Sequence, residues 1–269
     1  MDIRESKTAI LYSEIHPLGR EHYAKLKQIL SPSFLNEESN FFKDKICLDA
    51  GCGLDRAVAS MKMHGGKVVI GIDIAIENLK KARELNKEEK NVYFIQASTL
   101  KLPFKDEIFD FVHCSGVLHR TISPLSGSME LTRCLKTKGK IYLGLYGKGG
   151  IASFCISLGR LIAKIIPYKI GKNLLSIIIK NKLFLCNLLD VFYVPILERY
   201  TKDEIKQWFR RNYSQPVFLE EKIDNIFDSK LLRLIHPSSC YGVPKILQRL
   251  LYGEGWIKVK GIKEWKRID

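Results

Sequence analysis

The chain has 269 residues, 46% hydrophobic and 27% charged, the balance of a globular protein with one large or two small domains and a sizeable core. Its cysteines (Cys47, Cys52, Cys114, Cys134, Cys155, Cys186 and Cys240) form no C-x-x-C pair, which speaks against a zinc site and for buried free thiols in a reducing compartment. No run reaches ~18 uncharged apolar residues and MDIRESKTAI lacks the apolar core of a signal peptide, so the expectation is a cytosolic protein without a spanning helix, a peripheral membrane contact staying open. The net charge is +15: residues 1–147 hold 22 Lys/Arg against 18 Asp/Glu, and residues 148–269 hold 22 against 11. That asymmetry favours an anionic partner for the second half.

Residues 1–44 read as a helical preamble, with Leu18, Tyr23, Leu26 and Leu30 at loose helical spacing and a break at Pro32. Tyr12, His16, His22 and Tyr23 are read as surface and packing residues, with ligand contact as the alternative. The next stretch, Lys45 to Gly53, organises the chain. Ile46, Cys47 and Leu48 make an apolar strand ending at Asp49, and Gly51 and Gly53 break it. Leu54, Ala57, Val58 and Met61 then repeat at helical spacing. Strand, glycine turn and helix let backbone amides approach a ligand closely. A second strand, Val68–Asp73, ends in a carboxylate 22 positions after Gly51, near the ~20 expected of a ribose-binding acid. Arg56 occupies the third-glycine position of a dinucleotide fingerprint, which counts against a dinucleotide.

The α/β rhythm continues with a helix over Ile76–Leu85 and strands over Val92–Gln96 and Ile108–Cys114. A helix over about Leu125–Leu135 follows, then a fifth strand over Lys140–Leu145, entered through Thr137-Lys138-Gly139. Such alternation predicts a parallel sheet with right-handed crossovers and ligands at the carboxyl ends of its strands.

Asp49-Ala50-Gly51-Cys52-Gly53 has the form D-x-G-x-G. LPFKDEIFDFVHCSGVLHR (102–120) resembles a run of L-P-F, F-D-x-V and G-V-L-H, and Leu135-Lys136-Thr137-Lys138-Gly139 resembles L-K-P-G-G. Together, over about residues 45–147, these resemble the class I S-adenosylmethionine-dependent methyltransferases. The resemblance implies an α/β fold: a Rossmann-like seven-stranded, mostly parallel sheet with flanking helices. It implies S-adenosylmethionine as cofactor and no metal. Asp49, Ala50, Gly51, Cys52 and Gly53 would hold the methionine portion, and Asp73 the ribose hydroxyls. Ile74, Ser98 and Thr99 would flank adenine, and Cys114 and Ser115 would offer backbone groups near the methionine end. His119, after strand four, is the candidate general base, with a purely structural role as the alternative, and His113 is expected to be packed. The chain departs from the pattern at Leu54-Asp55, at Ser98, where many members carry an aspartate accepting from the adenine amino group, and at Thr137.

The rhythm stops after Gly147. Ile151–Ile166 and Asn173–Leu189 are apolar and basic, and residues 148–189 carry seven basic residues and no acidic one. A lid over the substrate, an interfacial amphipathic helix and a self-packed helix pair all fit. Thr201-Lys202-Asp203-Glu204 has the S/T-x-x-E form of a capping box before a helix over Ile205–Arg210, and Val217–Ile223 and Trp256–Ile262 read as strands. The divisions are a preamble (1–44), a cofactor-binding core (45–147), a helical insert or lid after strand five (148–199) and the rest of the same domain (200–269), with an insert at about 224–255. The favoured function is direct in-line methyl transfer to a small-molecule or lipid-like acceptor, with a peripheral contact to an anionic membrane surface. The lack of an N-P-P-Y-like sequence after strand four argues against adenine and cytosine amino-methylation, and modification of an RNA base is less favoured because no RNA-binding module is recognisable. A non-catalytic cofactor-binding protein is the remaining class.

Overall fold

The computed structural model describes residues 2–15, 30–180, 182–212, 215–219, 250–251 and 253–264. Helix α1 (Ile3–Ile15) precedes the alternating core: β1 (Ile46–Ala50), α2 (Arg56–Met63), β2 (Val68–Asp73), α3 (Ile76–Leu85), β3 (Val92–Gln96), β4 (Phe109–Ser115), a 3₁₀ turn (Leu118–Arg120), α4 (Pro124–Cys134) and β5 (Leu135–Tyr146). Then come α5 (Gly150–Ala163), α6 (Tyr168–Ile178), α7 (Lys182–Tyr193), α8 (Lys202–Asn212), β6 (Val217–Phe218) and β7 (Trp256–Ile262). The strands form one seven-stranded sheet of order β3-β2-β1-β4-β5-β7-β6. β1 to β5 run parallel, and β7 lies antiparallel to both β5 and β6. The chain reverses its direction of growth at β1, so the crevice lies beyond the ends of β1 and β4.

Alternation along each strand feeds two cores. On one face, Leu48, Val112, Ile141 and Leu143 pack with Leu131 of α4 and Ile205 and Phe209 of α8. On the other, Cys47, Val69 and Phe111 pack with Val58 and Met61 of α2, Leu79 of α3 and the Phe41–Phe42 pair ahead of β1. Both faces of the central strands are dry, so they read as nearly continuous apolar runs. Glu37, ahead of β1, is bonded by Lys140 of β5 at 2.6 Å and Lys260 of β7 at 2.7 Å, which ties that segment to the sheet.

The structure adjusts several readings. β5 begins at Leu135, so Thr137-Lys138-Gly139 lies inside the strand, next to a register irregularity against β4. The apolar stretch Asn173–Leu189 is divided between α6 and α7. Cys47, Cys52, Cys114 and Cys134 are buried, but Cys155 on α5 is exposed. Of the expected strand Val217–Ile223, β6 covers Val217–Phe218; residues 220–249, which hold most of the 224–255 insert and Cys240, lie outside the described residues, as do His16, His22 and Tyr23.

The capping box forms as read. The Thr201 amide donates to Glu204 Oε2 at 2.7 Å, and the Glu204 amide donates to Thr201 Oγ1 at 3.2 Å. Thr201→Ala removes one arm and should cost about 1 kcal/mol, measured as a lower urea midpoint at unchanged slope. An unchanged midpoint would show that α8 is held by packing alone.

Candidate cofactor and acceptor site

The turn after β1 is strapped to the end of β2. The amides of Gly51 and Cys52 both donate to the Ile72 carbonyl at 2.8 Å, and the Gly53 amide donates to Asp73 Oδ2 at 2.9 Å. The other oxygen of Asp73 accepts from the Ala75 amide at 2.8 Å, so one carboxylate holds the glycine turn and the start of α3 together. Gly51 has φ +83°, and a Cβ there would meet Val117 Cγ2 at 2.1 Å, so no other residue fits. Gly53 is also at positive φ, but a Cβ on it would meet nothing within 4 Å: its free side opens on space in the crevice. Burial pushes the Asp73 carboxyl above its ordinary value, against the pull of the two amides.

Asp49 is buried at the end of β1, and its Oδ1 accepts from His113 Nδ1 at 2.7 Å. His113 stacks on Tyr142 with ring centroids 5.2 Å apart, so this histidine orients the acid rather than lining the crevice. Asp49, Asp55 and Asp73 surround the turn, with Arg56 close to the first two. A pyrophosphate would meet three carboxylates here. A sulfonium and an α-ammonium would meet favourable charge, and a ribose diol would find acceptors. The residues present therefore fit S-adenosylmethionine, and they do not fit a dinucleotide.

Just past β2, the Ile74 carbonyl accepts from Nε2 of Gln96, the last residue of β3, at 3.0 Å, and Thr99, past β3, is buried. Ser98 donates to Glu5 Oε1 of α1 at 2.9 Å. Cys114 is buried and Ser115 packs against Gly144 of β5, so these two can face the crevice only through their backbone. Ala50 and Cys52 are buried behind the turn, and burial together with the nearby carboxylates pushes the Cys52 thiol well up.

His119 sits in the 3₁₀ turn past β4, fully buried. It packs against Tyr146 and Trp256, with centroids 4.5 and 5.8 Å away, and among the described residues neither ring nitrogen has a hydrogen-bond partner. Burial, with the Arg120 charge beside it, holds its pKa well below the ordinary histidine value. Next to it Arg120 bonds Tyr12 of α1, Tyr146 of β5 and Asp190 of α7, and Tyr12 donates to Asp190 Oδ1 at 2.6 Å. Sequence reading missed Glu5, Arg120 and Asp190, whose partners lie far away in the chain. Among the described residues no cluster of His, Cys, Asp and Glu is placed to hold a metal.

Residues 48–143 match the model of a methyltransferase domain. That stretch of the chain is similar to a methyltransferase domain, and its sheet order is the one described above. The chain is 31% identical over 147 residues to an uncharacterized protein of Methanocaldococcus jannaschii, covering 52% of this chain and 61% of that protein. It is 31% identical over 116 residues to a tRNA U34 carboxymethyltransferase of Helicobacter pylori (40% of this chain, 43% of that one). It is also 31% identical over 108 residues to a demethylmenaquinone methyltransferase of Staphylococcus saprophyticus (39% and 46%). The chain thus spans about half the length of these curated relatives. A solved S-adenosylmethionine-dependent methyltransferase from Thermotoga maritima superposes with TM-score 0.54 at 15% identity, covering 91% of this chain and 95% of that one, a likeness of fold. The matched methyltransferase domain and the charge of the cradle both agree with S-adenosylmethionine as the cofactor.

Asp73→Ala should weaken binding of S-adenosylhomocysteine by about 2 kcal/mol or more, the scale of charged hydrogen bonds, while wild type shows no NADH binding in the same titration. Equal affinity in wild type and variant would remove Asp73 from the ribose site. His119 gives a separate pH signature. Its folded pKa lies below its unfolded value of ~6.5, so the unfolded chain binds the extra proton and stability falls as pH drops below ~6.5. In urea melts from pH 7.5 to 5, His119→Phe should flatten that fall; parallel curves would show that the imidazole already finds water.

Proposed function

We propose that this chain transfers a methyl group from S-adenosylmethionine to a hydrophobic acceptor, drawn from or presented at an anionic membrane surface. The observation that carries the acceptor class is the outer face of α5 and α6. Among the described residues of α5 none is buried, and of α6 only Gly171 is. Phe154 is 71% exposed, Ile165 81% and Ile178 80%, with Leu158, Leu161 and Ile177 beside them. The reason lies on the inner face. A Cβ on Gly159 would meet Phe192 at 2.4 Å and one on Gly171 would meet Tyr193 Oη at 1.9 Å, so the two helices rest their small residues on α7 and turn their large ones outward. Lys164, Lys169 and Lys180 are exposed on the same helices and the segment joining α6 to α7. A broad apolar face flanked by lysines is the composition that suits an anionic bilayer surface. No helix among the described residues is long and apolar enough to cross a membrane. One relative named above carries demethylmenaquinone, an apolar acceptor, in its name.

S-adenosylmethionine supplies an already activated methyl group, so the protein has to bind, orient and exclude water. In this reading Asp49, held by His113, takes the ammonium end of the cofactor, and the backbone of Ala50, Gly51, Cys52 and Gly53 shapes the cradle. Asp73 takes the ribose, Ile74, Ser98 and Thr99 border adenine, and the backbone of Cys114 and Ser115 closes the methionine end. His119, neutral and among the described residues without a partner for either ring nitrogen, is the base proposed for an acceptor hydroxyl or acidic carbon, a weak one because burial lowers its pKa. The lid is α5 to α7, joined to the core through Arg120 and Asp190.

Two measurements test this reading. In flotation, the full chain should rise with phosphatidylcholine–phosphatidylserine vesicles at low salt, less at high salt, and less after Lys164→Glu, Lys169→Glu and Lys180→Glu, each lysine contributing about 1 kcal/mol where it reaches the surface. Methyl label from S-adenosylmethionine should enter the lipid fraction of a cell extract. Absence of flotation ends the membrane part of the reading, and label entering RNA, with RNA competing for the vesicles, replaces the acceptor.

A further inference from the structure

We infer that Glu5, on the first turn of α1, supplies the carboxylate that reads the adenine amino group of the cofactor, at the place where the strand-end residue Ser98 brings no charge. The inference rests on the core binding S-adenosylmethionine. Ser98 lies two residues past the carboxyl end of β3, where the proposed function puts the adenine. Its hydroxyl is a neutral and therefore weaker acceptor than a carboxylate. Glu5 brings a carboxylate to that point from 93 positions away, with Oε1 2.9 Å from the Ser98 hydroxyl that donates to it.

The burial of Glu5 calls for a partner. The residue is only 6% exposed. Among the described residues its donors are the Ser98 hydroxyl and the Asp2 amide, the latter 3.4 Å from Oε2, and no Lys or Arg pairs with it. A carboxylate held away from water with no cation is costly, and a ligand offering N–H donors offsets that cost. An exocyclic amine has two such donors. An acid in a first turn also complements the helix dipole, but a solvent-exposed one does so equally well and needs no bond to Ser98. At its other end α1 packs Leu11 and Ile15 against Leu189 and Val194, and Tyr12 against Asp190. The helix that carries Glu5 is thus fixed from both sides, by the strand end and by the lid.

The test is calorimetric titration of the full chain with S-adenosylhomocysteine and with S-inosylhomocysteine, in which a carbonyl replaces the amine. Wild type should prefer the adenine compound by about tenfold or more, the effect of a charge-assisted hydrogen bond. Glu5→Gln should lose about tenfold in affinity and the preference with it. Adding Ser98→Asp to Glu5→Gln should restore both, which a merely structural Glu5 does not allow. Glu5→Asp, one methylene shorter, should lose the preference as well, and it decides the matter if Glu5→Gln does not fold. Wild type binding both compounds equally, or either Glu5 variant keeping the full preference, overturns the inference. Wild type binding neither compound overturns the cofactor reading beneath it.

Discussion

The crevice depends on one carboxylate. Asp73 accepts from the Gly53 and Ala75 amides, and the Ile72 carbonyl beside it accepts from Gly51 and Cys52, so the turn after β1 is built onto the end of β2. Neighbouring parallel strands place these groups side by side, and the hydrogen bonds convert a flexible glycine segment into a fixed cradle. Each oxygen of Asp73 retains acceptor capacity, since a carboxylate offers about four lone-pair sites. The same side chain can therefore shape the turn and hold a diol.

Charge decides which ligand the cradle suits. The acids around the turn, with Arg56 close by, favour a cationic centre and disfavour a pyrophosphate, although the strand–turn–helix geometry is common to both kinds of site. Beyond the cradle the character changes. Tyr146, Trp256 and His119 make an aromatic wall, and α5 and α6 carry the apolar surface outward. In the proposed function, the acidic cradle takes a charged cofactor from water and the apolar, lysine-flanked exterior meets the source of the acceptor.

Most of the sheet was legible because its signals are local. The D-x-G-x-G turn, the acid ending β2 and the capping box at Thr201 each depend on residues a few positions apart, and each folded as read. What was not legible was carried by contacts distant in sequence. Glu5 meets Ser98 across 93 positions, and Tyr12 meets Asp190 across 178. Helical spacing in a preamble does not reveal which strand end its first turn will reach. The division of Asn173–Leu189 into α6 and α7 was hidden because no proline or glycine marks it. His119 was placed correctly past β4, but its enclosure comes from Tyr146 and Trp256, on strands that pair only in the finished sheet.

The claim on which the rest stands is that the β1–β2 turn and the Asp73 carboxylate form the cofactor site. A crystal structure with S-adenosylhomocysteine bound tests it most directly. The account requires both ribose hydroxyls on Asp73 and the amino-acid end beside Asp49 and the Gly51–Gly53 backbone. A ribose held by any other residue, or a ligand lying away from the carboxyl ends of β1, β2 and β4, would contradict it.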